Sequence, residues 1–236
     1  MNVLLIGGLD PLGRAGLLAD VEACRAAGVR AQVLCTALTA QDDTSCGVQV
    51  VPAGFLAEQL ELVLAQGQTE VIKTGWIADE EQLEAVLDLL PSGLKLVVDP
   101  LLATSSGKRV FCGDIHGPNY ARLLRRADIL MPNLIEAAEI LGVAIEDVTE
   151  AASALRALGI QRLVLKGGHA EADQITDLFM DDDGGLRFLR HERLPGNHRG
   201  TGCRLASSLA AHLCAGASYE DATVKAVAWL SEQLEY

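Results

Sequence analysis

Short, uninterrupted apolar runs alternate along the chain with longer segments whose apolar residues recur every three or four positions. The first kind predicts buried strands, the second helices packed by one face. "NVLLIGG" opens the series as a strand, and "AGLLADVEACRAAG" follows as a helix closed by Gly28. Next come a strand-like "AQVLCTALT", an amphipathic helix "FLAEQLELVLAQG" and a short strand "EVIKTG". "DEEQLEAVLDLL" is predicted helical, with acids in its first turn where the helix dipole favours them. "LKLVVDP", "ADILMP" and "QRLVLKGG" continue the strands, with helices starting at about Leu134 and Asp147. "ITDLFM" and "LRFLRHE", joined by "DDDGG", predict a hairpin, and two helices at about 202–215 and 219–234 follow.

This alternation predicts an α/β fold of three layers, a mostly parallel sheet with helices on both faces. No linker, repeat or composition break divides it, so a single domain over residues 1–236 is expected. In open parallel sheets ligands sit beyond the carboxyl ends of the strands. That rule gathers Gly7-Gly8, Lys73-Thr74-Gly75, Asp99-Pro100, Pro132-Asn133 and Lys166-Gly167-Gly168 into one rim.

Composition narrows the class. Half of the 236 residues are hydrophobic, enough for a sizeable core, yet no apolar run reaches membrane-spanning length. "MNVLLIGGLD" turns at once into a Gly/Asp loop rather than a secretion signal, which points to a cytoplasmic protein. With 19 Lys plus Arg against 32 Asp plus Glu, the net charge of −13 argues against nucleic-acid binding. It leaves room for a small anion in a local pocket. Six cysteines (24, 35, 46, 112, 203, 214) without a C-x-x-C pair read as reduced thiols. Five scattered histidines argue against a zinc site.

Several positions carry candidate chemistry, each with a plainer reading beside it. "GTG" at 200–202, just before a helix, offers unpaired N–H groups to a phosphate, or serves as a tight packing loop. Lys166 at a strand end meets a nucleotide phosphate, or is solvated. Asp99 holds a divalent ion, or forms ordinary Asp-Pro turn chemistry. Asn133 and Glu136 lie on one helix face and hold metal-bound water, or form a capping box. "GGLDPLGRAGLLAD" lacks G-K-[ST] and a G-x-G-x-x-G frame, which excludes a P-loop and disfavours a dinucleotide site. The shared rim favours phosphoryl transfer.

"GGLDPLGRAGLLAD", "TALTAQD", "KTGW", "VVDPLLATSSG", "MPNLIEAAEILG", "LKGGH" and "HRGTGC" occur in that order over nearly the whole chain. In this series the chain resembles the hydroxymethylpyrimidine/phosphomethylpyrimidine kinases of thiamin biosynthesis, enzymes of the ribokinase-like fold. The resemblance implies transfer of the ATP γ-phosphoryl group to 4-amino-5-hydroxymethyl-2-methylpyrimidine and then to its monophosphate. It implies an anion hole at Gly200, Thr201, Gly202 and Cys203, with Cys203 either a thiolate base at a helix N-terminus or an amide donor. Lys166 would bind ATP phosphates, with Asp99, Asn133 and Glu136 organising Mg²⁺ and its waters. Asp20, Gly8, Gln41 and Trp76 would surround the pyrimidine. A homodimer is expected because dimers are common for this fold.

Departures from the family pattern bear on the substrate. Leu12 and Arg14 interrupt a usual "DPSGGAG", Gln41 replaces a glutamate, Trp76 a methionine, and Arg204 a small residue. The chain ends at "WLSEQLEY" without the family's glycine-rich tail. Arg204 in a helix first turn opposes the dipole, so it pairs with a surface acid or adds a bond to a bound phosphate. Two rival functions are a pyridoxal-type kinase of the same fold and a non-catalytic pyrimidine or nucleotide sensor.

Overall fold

The structure, a computed structural model, describes residues 1–41, 46–103, 109–167, 174–192 and 199–234. Gly168 of the expected rim lies outside these, as do residues 104–108 and His198 of the motifs above.

The chain begins with β1 (Asn2–Leu9), α1 (Gly16–Ala26), β2 (Arg30–Gln41), β3 (Cys46–Val50), α2 (Ala53–Leu64), β4 (Thr69–Thr74), α3 (Glu80–Leu89) and β5 (Lys95–Val98). It continues with α4 (Pro118–Arg126), β6 (Ile129–Leu130), α5 (Leu134–Leu141), α6 (Val148–Ala157), β7 (Leu163–Leu165), β8 (Gln174–Met180), β9 (Leu186–Glu192), α7 (Thr201–Cys214) and α8 (Tyr219–Leu234). One sheet runs β3-β2-β1-β4-β5-β6-β7-β8-β9. Its centre from β2 to β7 is parallel, and β3, β8 and β9 extend it antiparallel at the two edges.

Alternation along β1 separates two cores. Leu4 and Ile6 join a cluster with Leu56 and Leu60 of α2, Leu83 of α3, Ala137 of α5 and Leu155 of α6. Val3 and Leu5 point the other way, to Leu17 of α1, Leu205 and Leu209 of α7 and Ala226 of α8. Each of these strand side chains is fully buried, worth about 2 kcal/mol apiece by area removed from water. The outcome is the expected three-layer α/β/α arrangement around a mostly parallel sheet. Among the described residues no helix is long and apolar enough to cross a membrane. Cys24, Cys35, Cys112, Cys203 and Cys214 are free thiols.

Hydrogen bonds stitch the carboxyl ends of the central strands together. Gly75 N donates to Ile6 O at 2.7 Å, Asp99 N to Thr74 O at 2.9 Å, Met131 N to Val98 O at 2.8 Å and Lys166 N to Pro132 O at 2.8 Å. The described part of the predicted rim is therefore one continuous edge.

Candidate active site

α7 opens over this edge. Its N-cap, Gly200, takes a left-handed φ of 77° and offers no side chain to the helix end. A Cβ there would stand 2.3 Å from Arg14 O, so the loop after β1 packs directly on the cap. The intrahelical ladder starts with Arg204 N donating to Gly200 O at 2.9 Å. The amides of Thr201, Gly202 and Cys203 precede that first bond and have no intrahelical acceptor. No acid sits in the first turn. The helix end thus presents N–H donors and positive potential, the electrostatics of an oxyanion site.

Lys166 supplies a cation beside the helix end. Its Nζ lies 3.3 Å from where a Cβ on Gly202 would stand, which places the ammonium against the opening turn. It donates to Asp99 Oδ1 at 2.7 Å and approaches Glu136 Oε2 at 3.6 Å. Burial by itself would depress the lysine, but Asp99 and then Glu136 outweigh it and hold the amine above its usual range. Lys166 is charged. Burial pushes the Glu136 carboxyl up, against the pull of Lys166.

Asn133 and Glu136 form the capping box of α5: Glu136 N donates to Asn133 Oδ1 at 2.8 Å and Asn133 N to Glu136 Oε2 at 2.9 Å. Asn133 is therefore the cap of α5, with its side-chain oxygen accepting Glu136 N. Among the described residues no group of three or more His, Cys, Asp or Glu could hold a metal ion. What the edge offers a divalent cation is Asp99 and Glu136, two carboxylates converging on one lysine. This donor set fits Mg²⁺ carried in by phosphates and keeping its waters, not a pre-built cage.

The residues expected around a ring sit on the neighbouring strand ends. Gly8 lies under Trp76: a Cβ on Gly8 would meet the indole Cε3 at 2.4 Å. The indole N–H donates to Val110 O at 2.8 Å, and Thr36 Oγ1 donates to Trp76 O at 2.6 Å. Trp76 is thus fixed over the end of β1. Gln41 is the last residue of β2, paired with Cys46 of β3 and half-buried. Asp20 is tied into the interior. It is 1 % exposed, receives Ser207 Oγ–H at 2.7 Å, and is engaged by Lys73 Nζ at 3.0 and 3.1 Å. Its carboxylate stands in the wall behind Gly7, where a Cβ would be 4.0 Å from Asp20 Oδ2.

Cys203 and Arg204 are each constrained by their surroundings. Cys203 is buried, and burial pushes its thiol up to about 11 despite the pull of Lys73. Desolvation here works against the helix dipole and favours a protonated Cys203 in the free protein. Arg204 is engaged by its neighbours. Its guanidinium donates to Glu22 Oε2 at 2.9 and 3.2 Å, to Arg14 O at 2.9 Å and to Arg199 O at 3.2 Å. It straps the loop after β1 to α1 and α7.

Residue-type reasoning missed Lys73 as an ion and Asp10 as a loop builder. Asp10, 2 % exposed, accepts Leu12 N at 3.0 Å and Ala15 N at 3.2 Å, shaping the turn that carries Arg14. The signal for Lys73 was present: a lysine inside "EVIKTG", a strand read as buried, requires a carboxylate partner.

Comparison with known proteins places the chain. The family model described as phosphomethylpyrimidine kinase matches residues 10–236. The hydroxymethylpyrimidine/phosphomethylpyrimidine kinase of Rhizobium meliloti is 33 % identical over 96 % of this chain and 88 % of its own length. Chloroplast thiamine biosynthetic bifunctional enzymes from Oryza sativa and Arabidopsis thaliana are 34 % and 36 % identical, and the chain spans only 41 % and 47 % of their length. Among solved structures, the pyridoxal kinase of Staphylococcus aureus in complex with AMP-PCP and pyridoxal superposes with a TM-score of 0.84 at 27 % identity, covering 97 % of this chain and 86 % of that one. A phosphomethylpyrimidine kinase from Clostridium difficile gives 0.83 at 25 % identity over 99 % of both chains. By the family match and by identity above 30 % along nearly its whole length, this chain belongs to the phosphomethylpyrimidine kinase family.

Proposed function

We propose that the chain is an ATP-dependent kinase that phosphorylates the hydroxymethyl oxygen of 4-amino-5-hydroxymethyl-2-methylpyrimidine, and then the monophosphate it has made. The observation that carries this reading is the placement of Lys166 against the bare first turn of α7, with Asp99 and Glu136 behind it. Phosphoryl transfer asks little covalent chemistry of a protein and a great deal of charge placement. The amides of Thr201, Gly202 and Cys203 would receive charge building on the transferred group, and Lys166 would hold the departing phosphates. The substrate oxygen bonds to the γ-phosphorus as the bond to ADP breaks, and the hydroxyl proton leaves to solvent or phosphate. Burial pushes the Cys203 thiol up, which favours its backbone amide over its sulfur as the working group. Asp99 and Glu136 would hold Mg²⁺ through its waters; when bound, the ion neutralises phosphate charge.

The pyridoxal reading stays in view for one reason: the similar solved structures include a pyridoxal kinase bound to pyridoxal. Trp76 over Gly8 narrows the space at the end of β1. A coupled assay with ATP and Mg²⁺, offering both pyrimidines and pyridoxal, decides between them. The expected result is turnover of both pyrimidines above pyridoxal. Folded protein that turns over none of the three would sink the kinase reading and leave a binding role.

A further inference from the structure

We infer that Lys73, sealed from solvent, is a positioning residue for the phosphate side of the site: it shares the Asp99 carboxylate with Lys166 and so leaves Lys166 charge to spare for nucleotide. The inference rests on the kinase reading above.

A lysine with 0 % exposure at the end of a central strand is costly unless carboxylates surround it. Two do. Asp20 grips the ammonium with both oxygens, at 3.0 and 3.1 Å, and Asp99 Oδ2 lies 3.9 Å away. The other oxygen of Asp99 is the one that Lys166 meets at 2.7 Å. The two oxygens of Asp99 therefore face two different lysines, one buried and one at the helix end. Neighbouring strands dictate this: Lys73 on β4 registers with Val97 on β5, and Asp99 follows two residues on. Gly75 makes room, because a Cβ there would lie 2.9 Å from Lys73 Nζ.

If Asp20 were the only purpose of Lys73, an apolar pair would fill the same space at no greater cost. What such a pair cannot do is hold Asp99 from behind. With Lys73 present, the negative charge of Asp99 is divided between two cations. Without it, Asp99 turns its whole charge on Lys166 and on any phosphate beside it. Ser207, Asp20, Lys73, Asp99, Lys166 and Glu136 thus form a single line of contacts from inside α7 to the anion site.

Lys73→Met alone would strand the buried Asp20 carboxylate, so the informative pair is Asp20→Asn against Asp20→Asn with Lys73→Met. ADP affinity is measured by calorimetric titration and melting temperature by scanning. The expected result is a Kd for ADP weaker by about tenfold or more in the double variant than in Asp20→Asn, at similar melting temperature. Equal affinities would reduce Lys73 to a counter-ion of Asp20 and overturn the inference. In the unaltered chain, the side-chain resonance of isotope-labelled Lys73 should shift on adding ADP although solvent never reaches it; a resonance indifferent to ADP overturns it as well. Pyrimidine turnover by the unaltered chain is measured alongside. Its absence would count against the kinase reading, while the ADP titrations still report on Lys73.

Discussion

Arg204 shows how one side chain is decided by neighbours that the local sequence does not reveal. Read alone, a cation in a helix first turn meets the positive end of the dipole at a cost of roughly 0.3–1 kcal/mol. In the fold, Glu22 from the second turn of α1 and the carbonyls of Arg14 and Arg199 close around it, leaving the side chain 17 % exposed. Charge-assisted bonds to carbonyls outweigh the dipole penalty, while the pair with the exposed Glu22 carboxylate adds little. Arg204→Ala should therefore destabilise the free protein by about 1–2 kcal/mol, a fall in Tm of roughly 3–6 °C for a chain of this size. The KM for ATP should change little. Thermal scans together with initial rates check both halves, and an unchanged Tm with a raised KM would return Arg204 to the phosphates. Glu22 lies 182 residues from Arg204, and no local pattern announces that pairing. Asn133 is the opposite case: its capping-box partner is three residues away, so the cap was legible at once.

Elements with strong internal periodicity were legible, and those defined by their neighbours were not. The central strands are apolar runs that end in Gly, Asp-Pro or Pro-Asn, and each was placed. β3 reads "CGVQV", five residues with a period of two, which become a strand by pairing antiparallel with the far half of β2. α4 opens with proline at its first turn and carries two arginines in its last, a short basic helix whose apolar face, with Tyr120 and Leu123 buried, is periodic but only nine residues long. The β8–β9 hairpin was legible from its turn, and it has a pH-dependent tie to the site. Asp177 on β8 accepts Gly167 N at 2.8 Å with one oxygen and the Nε2–H of His191 on β9 at 3.2 Å with the other. That hydrogen bond raises His191 above its ordinary 6.5. A pKa raised in the folded state adds stability that is fully present below about 6.5 and fades as pH climbs through the folded value. The Tm difference between the unaltered chain and His191→Asn should be widest below about pH 6.5 and shrink toward alkaline pH. A gap that stays level across that range would show packing, not the ion pair, to be what His191 contributes.

At the scale of the whole molecule, the sheet converts positions scattered from Gly7 to Lys166 into one edge, because parallel strands all end on the same side. That much followed from alternation alone. The second requirement, α7 returning to close the edge with its N-terminus, depends on 190-odd residues of topology and on Gly200 packing against Arg14. An acidic molecule of net charge −13 can still hold an anion there. Diffuse surface charge is screened over about 8–10 Å, whereas the first-turn amides and Lys166 act at contact. Nucleotide should therefore bind the folded chain and not the unfolded one, since its site is assembled from β5, β7 and α7 together. At a free concentration one hundred times its Kd, such a ligand adds about 2.7 kcal/mol. For a chain of this length that is a rise in Tm of roughly 5–10 °C. Lys166→Ala will lower the starting Tm, because Asp99 and Glu136 lose their shared cation inside the protein. The decisive quantity is the further rise on adding ATP, read within each variant so that the starting loss cancels. It should be present in the unaltered chain and nearly absent in Lys166→Ala. A variant that kept the full rise would mean that the phosphates bind elsewhere, and that the lysine serves only to neutralise the two carboxylates behind it.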